Sequence, residues 1–216
     1  MSVCAVIPFY NEIETIKSIV QNSLKFANFV IAVNDGSTDN SENKIATLKD
    51  VVLINQKENL GKGKALQVGF EKALSLKFKK IISLDADLQH DPKFIPAISN
   101  ELEKFDIVIG NRLKNLKSMP LQRRLSNKLT SRLLSLKTGQ QILDSQCGFR
   151  GFNSFVIESV KTTYSGFEAE SEFLVLAAKK GFKIGFIDIP TVYTDRKSKM
   201  RPLKTIFGFL KVLINK

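Results

Sequence analysis

Short apolar runs alternate with helical patterns through the first half of the chain, and this alternation restricts the fold more than any other feature. The apolar runs span residues 3–8, 29–33, 51–54, 80–84 and 106–110, and the helical patterns span residues 12–24, 39–48, 62–76 and 93–104. Continuous apolar strands joined by helices form right-handed βαβ units, in which both faces of a parallel sheet are covered. The pattern therefore predicts an α/β fold with a mainly parallel sheet flanked by helices on both faces.

The second half of the chain is less regular but belongs to the same class. Leucines spaced by four residues predict a basic amphipathic helix from Leu121 onward, with arginines and lysines between them. Residues 168–180 are typical of a core helix, residues 184–189 of a strand, and residues 203–214 of an amphipathic helix. Since no linker or internal repeat interrupts the sequence, we expect a single domain over residues 1–216.

The formal net charge of +12 is concentrated in the second half. Residues 1–100 carry 12 Lys/Arg against 11 Asp/Glu, whereas residues 101–216 carry 21 against 10. The excess lies in two stretches without acidic residues, 112–137 and 196–216. Such a field favours an anionic partner, which could be a phosphorylated substrate, an anionic membrane surface or a nucleic acid. The chain has no Trp, three Tyr and no nucleic-acid reader motif, so a nucleic-acid-binding basic domain is a remote alternative and we expect no nucleic-acid partner.

Cysteine content and hydropathy predict the compartment. Cys4 and Cys147 are too few and too distant in sequence for a disulfide scaffold or a cysteine zinc site, which favours a reducing cytoplasm. The amino terminus lacks the basic stretch and apolar run of a signal peptide. The sequence contains no run of about 18 apolar residues, so no transmembrane helix is predicted. We therefore expect a cytoplasmic protein.

Polar clusters follow three of the predicted strands, at residues 10–12, 34–37 and 85–87. Ligands of parallel sheets bind beyond the carboxyl ends of the strands, so the clusters are expected to line one crevice. The carboxylates of Asp85 and Asp87 can hold a hard divalent cation, Mg²⁺ or Mn²⁺, whose remaining oxygen ligands come from a diphosphate. Such an ion would neutralise that diphosphate as a leaving group.

Four ordered motifs resemble family 2 of the inverting nucleotide-sugar glycosyltransferases, which have the GT-A fold: PFYNE at 8–12, NDGSTD at 34–39, NLGKGKA at 59–65 and DADLQHDP at 85–92. The resemblance covers nearly the whole chain. It implies a nucleotide-sugar site in which the nucleoside is held by Pro8, Tyr10, Glu12 and Asp35. It further implies that Asp85 and Asp87 bind the ribose and the metal-bound diphosphate, and that Lys62 lies near the nucleotide.

The second half resembles the polyprenyl-phosphate glycosyltransferases of that family, through the segments at 110–112 and 144–150, the basic helix between them, and the segment at 195–199. The resemblance implies that Gln89 also approaches the metal. It implies that the acceptor phosphate is held by Arg112, Arg123, Arg124 and Ser126. It implies that a late basic cluster contacts the donor and acceptor phosphates, namely Arg196 and Lys199. The chain departs from the pattern at Asn111, where Ser is common, and after Arg196, where no Gly follows within a few residues.

These features predict metal-dependent, inverting transfer of a sugar from a UDP- or GDP-linked donor to dolichyl or undecaprenyl phosphate. A lipid phosphate monoester is largely dianionic at pH 7, so it can attack the anomeric carbon without a general base. Catalysis then depends on cations that bring two anions together, namely the metal at Asp87 with Arg112 and Arg196. The alternative is a sugar hydroxyl acceptor in cell-surface glycan synthesis, for which Glu170 or Glu172 would supply the base.

The predicted domain divides into a donor half, residues 1–110, an acceptor half, residues 111–200, and a carboxyl-terminal amphipathic helix, residues 201–216. The basic stretches and this helix predict a peripheral protein at the cytoplasmic face of an anionic membrane. In the alternative interpretation, the apolar residues of the helix pack on the core: Ile206, Phe207, Leu210 and Leu213.

Overall fold

One seven-stranded sheet organises the part of the chain that the computed structural model describes, which comprises residues 2–114, 119–190 and 202–215. The strands are β1 Val3–Phe9, β2 Phe29–Asn34, β3 Val51–Asn55, β4 Lys80–Ser83, β5 Ile107–Asn111, β6 Arg150–Asn153 and β7 Ile184–Asp188. They lie in the order β3-β2-β1-β4-β6-β5-β7. Neighbouring strands are parallel, except that β6 is antiparallel to both β4 and β5. The predicted mainly parallel α/β sheet is confirmed.

The helices within the described ranges are α1 Ile16–Leu24, α2 Lys62–Ser75, α3 Ile95–Glu101, α4 Leu121–Thr138, α5 Ser154–Ser159, α6 Glu168–Lys179 and α7 Pro202–Asn215. They pack in two groups. Helices α1 and α3 form the first group, because both contact the short 3₁₀ turn Pro92–Phe94. In the second group, α2 contacts α5 and α6, and α6 contacts α4 and α7. The two groups cover the two faces of the sheet, as continuous apolar strands require.

The core lies along the central strands. Every residue of β1 is buried, and Ile7, Ile31, Ile81 and Ile82 are fully buried. Each such side chain contributes about 1.5–3 kcal/mol relative to an exposed one. The central strands therefore form a stable platform from which the loops at their carboxyl ends project.

The sheet grows in two directions from β1, and this determines where a ligand can bind. The chain adds β2 and β3 on one side of β1, and β4 then pairs with the other side. Open parallel sheets form a ligand crevice outside the carboxyl ends of the strands at such a point. Because β6 is antiparallel, its amino end lies at this edge, with Arg150 opposite Ser83 and Ile109. The loop before β6 is thereby brought to the crevice.

The helix predicted for residues 39–48 is wrong, since only the 3₁₀ turn Ser41–Lys44 forms there. Asp39 accepts hydrogen bonds from the backbone N–H and the hydroxyl of Ser41, at 3.0 and 2.6 Å. It also accepts one from the N–H of Ile13 at 3.0 Å. Such side-chain bonds compete with the helical hydrogen-bond ladder, and here they tie the segment to the loop after β1.

Strand β6 is absent from the sequence prediction because its four residues, Arg150–Asn153, contain no apolar run. Its pairing with β4 and β5 makes it a strand. The other predicted strands and helices occur with shifted ends. The largest shift is at α1, which begins at Ile16 instead of residue 12.

Helix α4 turns most of its leucines outward. Leu121, Leu125 and Leu129 are 65%, 60% and 61% exposed, whereas the buried face carries the polar residues Asn127 and Ser131 together with Leu134, and Leu133 packs partly on the core. The predicted basic helix is present, but its polar side faces the protein. The reason is that the buried polar groups are hydrogen-bonded to the loop before β6.

Helix α7 has apolar residues on two sides. Phe209 and Val212 are buried where α7 packs against α6 and α4, whereas Phe207, Leu210 and Ile214 are exposed. Packing of Phe207 and Leu210 on the core, which was one of the two interpretations, is therefore not observed. The side chain of Ile206 lies outside the described residues, and Leu213 packs partly on the core. Across the described ranges, no helix has the length and apolar character needed to cross a bilayer.

Candidate active site

The loop after β4 carries the two carboxylates that the sequence singles out. Leu88 in this loop has a φ of 62°, a region that residues with side chains populate sparsely. The bend lets the N–H of Gln89 donate to Asp87 Oδ1 at 3.0 Å. Asp85 and Asp87 therefore lie just beyond the end of β4, where the strand order reverses beside β1. The backbone of Gln89 bends back toward Asp87.

Lys62, the first residue of α2, lies between two carboxylates. Its Nζ atom is 2.6 Å from Asp85 Oδ1, 3.0 Å from Glu170 Oε2 and 5.8 Å from the centre of the Phe167 ring. Burial opposes the charge of Lys62, but Asp85 and Glu170 outweigh it and raise the pKa of the ammonium. Burial likewise opposes the charge of Asp85, and Lys62 nevertheless lowers the pKa of that carboxyl. The structure thus places Lys62 beside Asp85.

Asp87 has the opposite environment. Within the described part of the chain, no Lys or Arg forms an ion pair with it. Burial and the negative charge of Asp85 raise the pKa of Asp87 to about 6. A carboxylate that forms no ion pair with any described Lys or Arg, and that lies beside Asp85, fits a hard divalent cation such as Mg²⁺ or Mn²⁺. The described residues contain no group of three or more His, Cys, Asp or Glu side chains placed to hold a metal.

Binding of Mn²⁺ to the free protein is expected to weaken below a pH of about 6. The metal must then displace the proton of Asp87, so the affinity should fall by up to about tenfold per pH unit and stay constant above pH 7. The stability of the metal-free fold depends on pH in the opposite sense. Because the pKa of Asp87 lies above its ordinary value of 3.8, protonation of Asp87 stabilises this fold. Electron paramagnetic resonance of free Mn²⁺ between pH 5 and 8 measures the affinity. Equal affinities at pH 5 and pH 7 would contradict a role for Asp87 as ligand.

Side-chain hydrogen bonds link the loops after β1 and β2. Asn11, which has a φ of 52°, accepts a hydrogen bond from the N–H of Thr38 at 2.8 Å. The N–H of Asn11 donates to Ser37 Oγ at 2.9 Å. Tyr10 and Glu12 flank Asn11 and are partly exposed. These two residues therefore lie just beyond the carboxyl end of β1, where Glu12 Oε2 accepts a hydrogen bond from the Thr15 hydroxyl at 2.8 Å.

Asp35 makes its hydrogen bonds inside the protein. Asp35 is only 4% exposed, and its carboxylate accepts hydrogen bonds from the N–H groups of Leu60 and Gly61 at 2.9 and 3.0 Å and from the side-chain amide of Gln56 at 3.3 Å. Burial raises the pKa of Asp35. The carboxylate that the family resemblance assigns to the nucleoside thus anchors the segment that opens α2. Pro8 is buried within β1.

Arg112, at the end of β5, is held by a buried carboxylate. Its Nε and Nη2 atoms donate to Asp144 Oδ2 and Oδ1 at 2.8 and 2.9 Å, and its backbone N–H donates to Oδ2 at 3.0 Å. Asn127 of α4 donates to Asp144 Oδ1 at 2.6 Å. Burial would raise the pKa of Asp144, but its bonds to Arg112 hold it below its usual range. This bidentate pair orients Arg112 and joins α4 to the loop before β6.

The other predicted acceptor residues lie on or beyond α4. Arg123 is exposed, and Arg124 donates to a backbone carbonyl at 3.3 Å. Ser126 Oγ accepts a hydrogen bond at 3.3 Å from Gln146, in the loop before β6. The remaining predicted phosphate contacts lie outside the described residues: Arg196 and Lys199.

Gly148 lies against Asp85, and an alanine at this position is expected to weaken Mn²⁺ binding. The added methyl group would overlap Asp85 Oδ2 and lie 2.8 Å from Lys62 Nζ, so Asp85 would rotate away from Lys62. One charge-assisted hydrogen bond is worth about 1.5–3 kcal/mol, which corresponds to a loss of about tenfold or more in affinity measured by titration calorimetry.

The matched control is Gly185→Ala on the edge strand β7, whose methyl group would overlap the Phe105 ring. This control should lower the melting temperature while leaving the Mn²⁺ affinity unchanged. A Gly148→Ala variant that is destabilised but binds Mn²⁺ normally would contradict the placement of Asp85.

Two partnerships of the site are missed by sequence reasoning. Asp144 is the first acidic residue after a stretch, 107–143, that contains none, and this signal could have marked it as the partner of Arg112. The contact of Glu170 with Lys62 carries no sequence signal, because only the packing of α2 against α6 brings the two residues together.

The chain is similar to known proteins along most of its length. A family model described as glycosyl transferase family 2 matches residues 4–161. The UDP-N-acetylglucosamine–dolichyl-phosphate N-acetylglucosaminyltransferase of Methanococcus voltae is 32% identical over 94% of this chain and 90% of that protein. The dolichol-phosphate mannosyltransferase of Pyrococcus furiosus is 29% identical over 98% of this chain and 62% of that protein.

The likeness extends to solved structures. A crystal structure of glucosyl-3-phosphoglycerate synthase from Mycobacterium tuberculosis, in complex with Mn²⁺, UDP and phosphoglyceric acid, matches with a TM-score of 0.74. The match covers 98% of this chain and 76% of that chain at 16% identity, so it bears on the fold alone. The predicted GT-A fold is confirmed. The family match runs from β1 to α5 and takes in all four sequence motifs, and the chain belongs to glycosyl transferase family 2.

Proposed function

We propose that this glycosyltransferase moves a sugar from a UDP- or GDP-linked donor to a polyprenyl phosphate, dolichyl or undecaprenyl, with inversion at the anomeric carbon. The orientation of α4 is the observation that carries the proposal. Its inner face binds Asp144, which holds Arg112 at the crevice, and its outer face presents leucines among arginines and lysines. One helix thus links the phosphate site to a surface suited to a membrane lipid. The names of both archaeal relatives refer to a dolichyl or dolichol phosphate, which supports this acceptor.

The donor diphosphate is assigned to the crevice beside β4. Asp85, Asp87 and Gln89 would hold Mg²⁺ or Mn²⁺, which neutralises the leaving diphosphate when bound. Lys62 adds a protein cation at the same place, since Asp85 and Glu170 keep its ammonium charged and oriented.

The nucleoside is assigned to the loops after β1 and β2. Tyr10 and Glu12 are the partly exposed side chains there and would contact the nucleoside directly. Asp35 would act through the backbone it anchors at residues 60–61, and Pro8 through the shape of the end of β1.

The acceptor needs positioning more than activation. Its phosphate oxygen forms a bond to the anomeric carbon as the bond from that carbon to the diphosphate oxygen breaks. A dianionic phosphate does this without a base, so the main obstacle is repulsion between two anions. Cations on the acceptor side reduce this repulsion and place the phosphate in line. We assign this role to Arg112, Arg123, Arg124, Arg196 and Lys199, with the hydroxyl of Ser126 as a further donor.

A sugar hydroxyl acceptor would require a base, and neither candidate glutamate is well placed to serve as one. Glu170 has Oε2 at 3.0 Å from Lys62 Nζ and Oε1 at 3.6 Å from Arg150 Nε. Glu172 is fully buried, and its carboxylate accepts hydrogen bonds from the segment before α6. These contacts favour the phosphate acceptor over the hydroxyl acceptor.

The decisive experiment is a transfer assay with Mg²⁺ or Mn²⁺ and a panel of labelled nucleotide sugars, with and without a short polyprenyl phosphate. Label in the organic phase from one donor, only when lipid and metal are present, is the expected result, and it identifies the sugar and the nucleotide. Nucleotide release that is stimulated by free sugars, with no lipid product, would refute the lipid acceptor.

We further propose peripheral attachment to an anionic membrane at its cytoplasmic face through a leucine face, defined here by the exposed apolar residues of α4 and α7: Leu121, Leu125, Leu129, Leu136, Phe207, Leu210 and Ile214. The two helices contact each other, and α4 also carries basic side chains. Apolar insertion and attraction to anionic lipid act together on such surfaces.

The variant Leu125→Ser/Leu129→Ser is expected to bind vesicles of mixed neutral and anionic lipid at least about tenfold more weakly than the wild type, because burying a leucine contributes about 1.5–3 kcal/mol. Co-sedimentation measures the partition. Phe26→Ser, at an exposed position after α1, is the control and should bind as the wild type does. Equal binding of all three proteins would refute the leucine face as the contact.

A further inference from the structure

Glu172 is a fully buried acid on α6 that the proposed chemistry does not use. Its Oε2 atom accepts the N–H groups of Thr163 and Tyr164 at 2.8 and 2.9 Å, and its Oε1 atom accepts the hydroxyl of Thr163 at 2.7 Å. A buried charge is unfavourable unless it is hydrogen-bonded, and bonds to a carboxylate are about twice as strong as neutral ones. Glu172 therefore holds this segment firmly to α6. We call residues 162–166 the strap.

The strap lies along the amino-terminal half of α2. The carbonyl of Ser165 accepts the N–H of Lys64 at 3.0 Å. The carbonyl and hydroxyl of Thr162 accept hydrogen bonds from Gln67 Nε2 at 3.1 and 2.8 Å. The approach leaves no room for a side chain, since a methyl group added at Gly63 would lie 2.8 Å from the carbonyl oxygen of Ser165.

Lys62 extends from the turn of α2 that the strap covers. Helix α6 consequently acts on Lys62 in two ways. Glu170 contacts the ammonium directly at 3.0 Å, and Glu172 holds the strap against the backbone from which the lysine side chain starts. The ion pair of Lys62 with Asp85 at 2.6 Å depends on the position of that backbone.

We propose that Glu172 is a positioning residue of the donor site: acting through the strap, it places the amino end of α2 so that Lys62 meets Asp85. The inference rests on the proposed function in one respect, namely that Lys62 serves the donor diphosphate.

The test compares variants that differ in the hydrogen bonds they keep. Glu172→Ala removes all three acceptor contacts. Glu172→Gln keeps an oxygen for the two backbone N–H groups, and its amide can donate to the Thr163 hydroxyl. Thr163→Val removes only the hydrogen bond from the Thr163 hydroxyl to Glu172, and it replaces Glu172→Ala in the test if that variant does not fold. Glu158→Gln, at an exposed position on α5, is the matched control.

Two readouts are needed. The first is the dissociation constant of Mn²⁺ with UDP or GDP, measured by calorimetry without acceptor. The second readout is whether each substitution changes the donor KM or kcat in the transfer assay. Glu172→Ala is expected to raise the dissociation constant and the donor KM at least about tenfold, with kcat at saturating donor changed less than about threefold. Glu172→Gln should restore most of the binding, and Thr163→Val should be intermediate.

A Lys62→Met background separates positioning from general stability. There, Glu172→Ala is expected to add no further loss of nucleotide affinity, because the residue it positions is gone. Equal losses in both backgrounds would make Glu172 merely structural. A kcat that is strongly lowered in both Glu172→Gln and Glu172→Ala, while Glu172→Gln binds the nucleotide normally, would make it a base. Either result would overturn the proposal.

Failure of the proposed function is distinguishable from failure of this inference. Absence of lipid product in every variant, including the wild type, would refute the acceptor, whereas the calorimetric comparison needs no acceptor. An unchanged nucleotide dissociation constant in Lys62→Met would refute the route through Lys62.

Discussion

Replacing Asp87 by asparagine is expected to lower metal-dependent transfer by about 10³-fold or more, an effect of roughly 4 kcal/mol on the activation barrier. Asparagine has nearly the same shape and keeps an oxygen for the N–H of Gln89, which Asp87 accepts at 3.0 Å. The loop geometry should therefore persist. What disappears is the carboxylate charge that no described protein cation neutralises and that the divalent ion requires.

Initial rates of transfer with Mn²⁺, together with Mn²⁺ binding to the free protein, measure this effect. Asp91→Asn is the matched control, since Asp91 lies in the same loop but pairs with Lys93 and caps the following 3₁₀ turn. It should retain activity within about twofold, as surface substitutions usually do. An Asp87→Asn variant with more than a tenth of wild-type activity would contradict the assignment of Asp87 to the metal.

Replacing Arg112 by methionine is expected to lower the free energy of unfolding by about 3–5 kcal/mol, because it leaves the buried carboxylate of Asp144 without its cation. Asp144 is fully buried, and Arg112 supplies three of its hydrogen bonds. Urea unfolding measures the loss. The double variant Arg112→Met/Asp144→Leu should recover most of it, since removing both partners of a buried pair is often close to neutral.

The pH dependence of this stability has a definite sign. The pKa of Asp144 is lowered in the folded protein, against the effect of burial, so its contribution is present above its ordinary value of 3.8 and is lost as the pH falls through the folded value. The excess stability of the wild type over Arg112→Met should therefore shrink on acidification below about pH 4. An excess that stays constant down to pH 2 would contradict the assigned charge of the pair.

The role proposed for Arg112 at the acceptor phosphate has a separate readout. At a temperature where Arg112→Met is folded, transfer to the lipid phosphate should fall more than metal-dependent hydrolysis of the donor. Arg112→Lys should not restore transfer, because a lysine ammonium cannot reproduce the bidentate contact with Asp144. Equal loss of transfer and hydrolysis would contradict a role for Arg112 at the acceptor.

The fold class and the location of the crevice could be predicted from the sequence because they depend on local and chain-wide regularities. A continuous apolar run such as residues 29–33 can be buried on both faces only within a covered parallel sheet. Parallel strands place their carboxyl ends at one edge, which explains why the motifs after β1, β2 and β4 meet.

Other features could not be predicted, since they arise from contacts between distant segments. Strand β6 has no apolar pattern of its own and exists because β4 and β5 pair with it. The segment 39–48 has enough helical pattern to predict a helix, but Asp39 bonds to Ser41 and Ile13 instead. The leucine spacing of α4 predicts an amphipathic helix without indicating which side is buried.

The α/β class, the order of the motifs and the pair of carboxylates two residues apart can be inferred from the amino-acid order, because they follow from hydrophobic periodicity and from residues adjacent in the chain. The partners and the orientation of those groups depend on tertiary packing. Packing of α2 against α6 pairs Asp85 with Lys62, whereas burial and the charge of Asp85 raise the pKa of Asp87. The hydrogen bond of Asn127 to the buried Asp144 holds the polar side of α4 inward, and Leu121, Leu125, Leu129 and Leu136 face outward. The physical reason is that burial, charge pairing and orientation depend on neighbours in space, which no local pattern records.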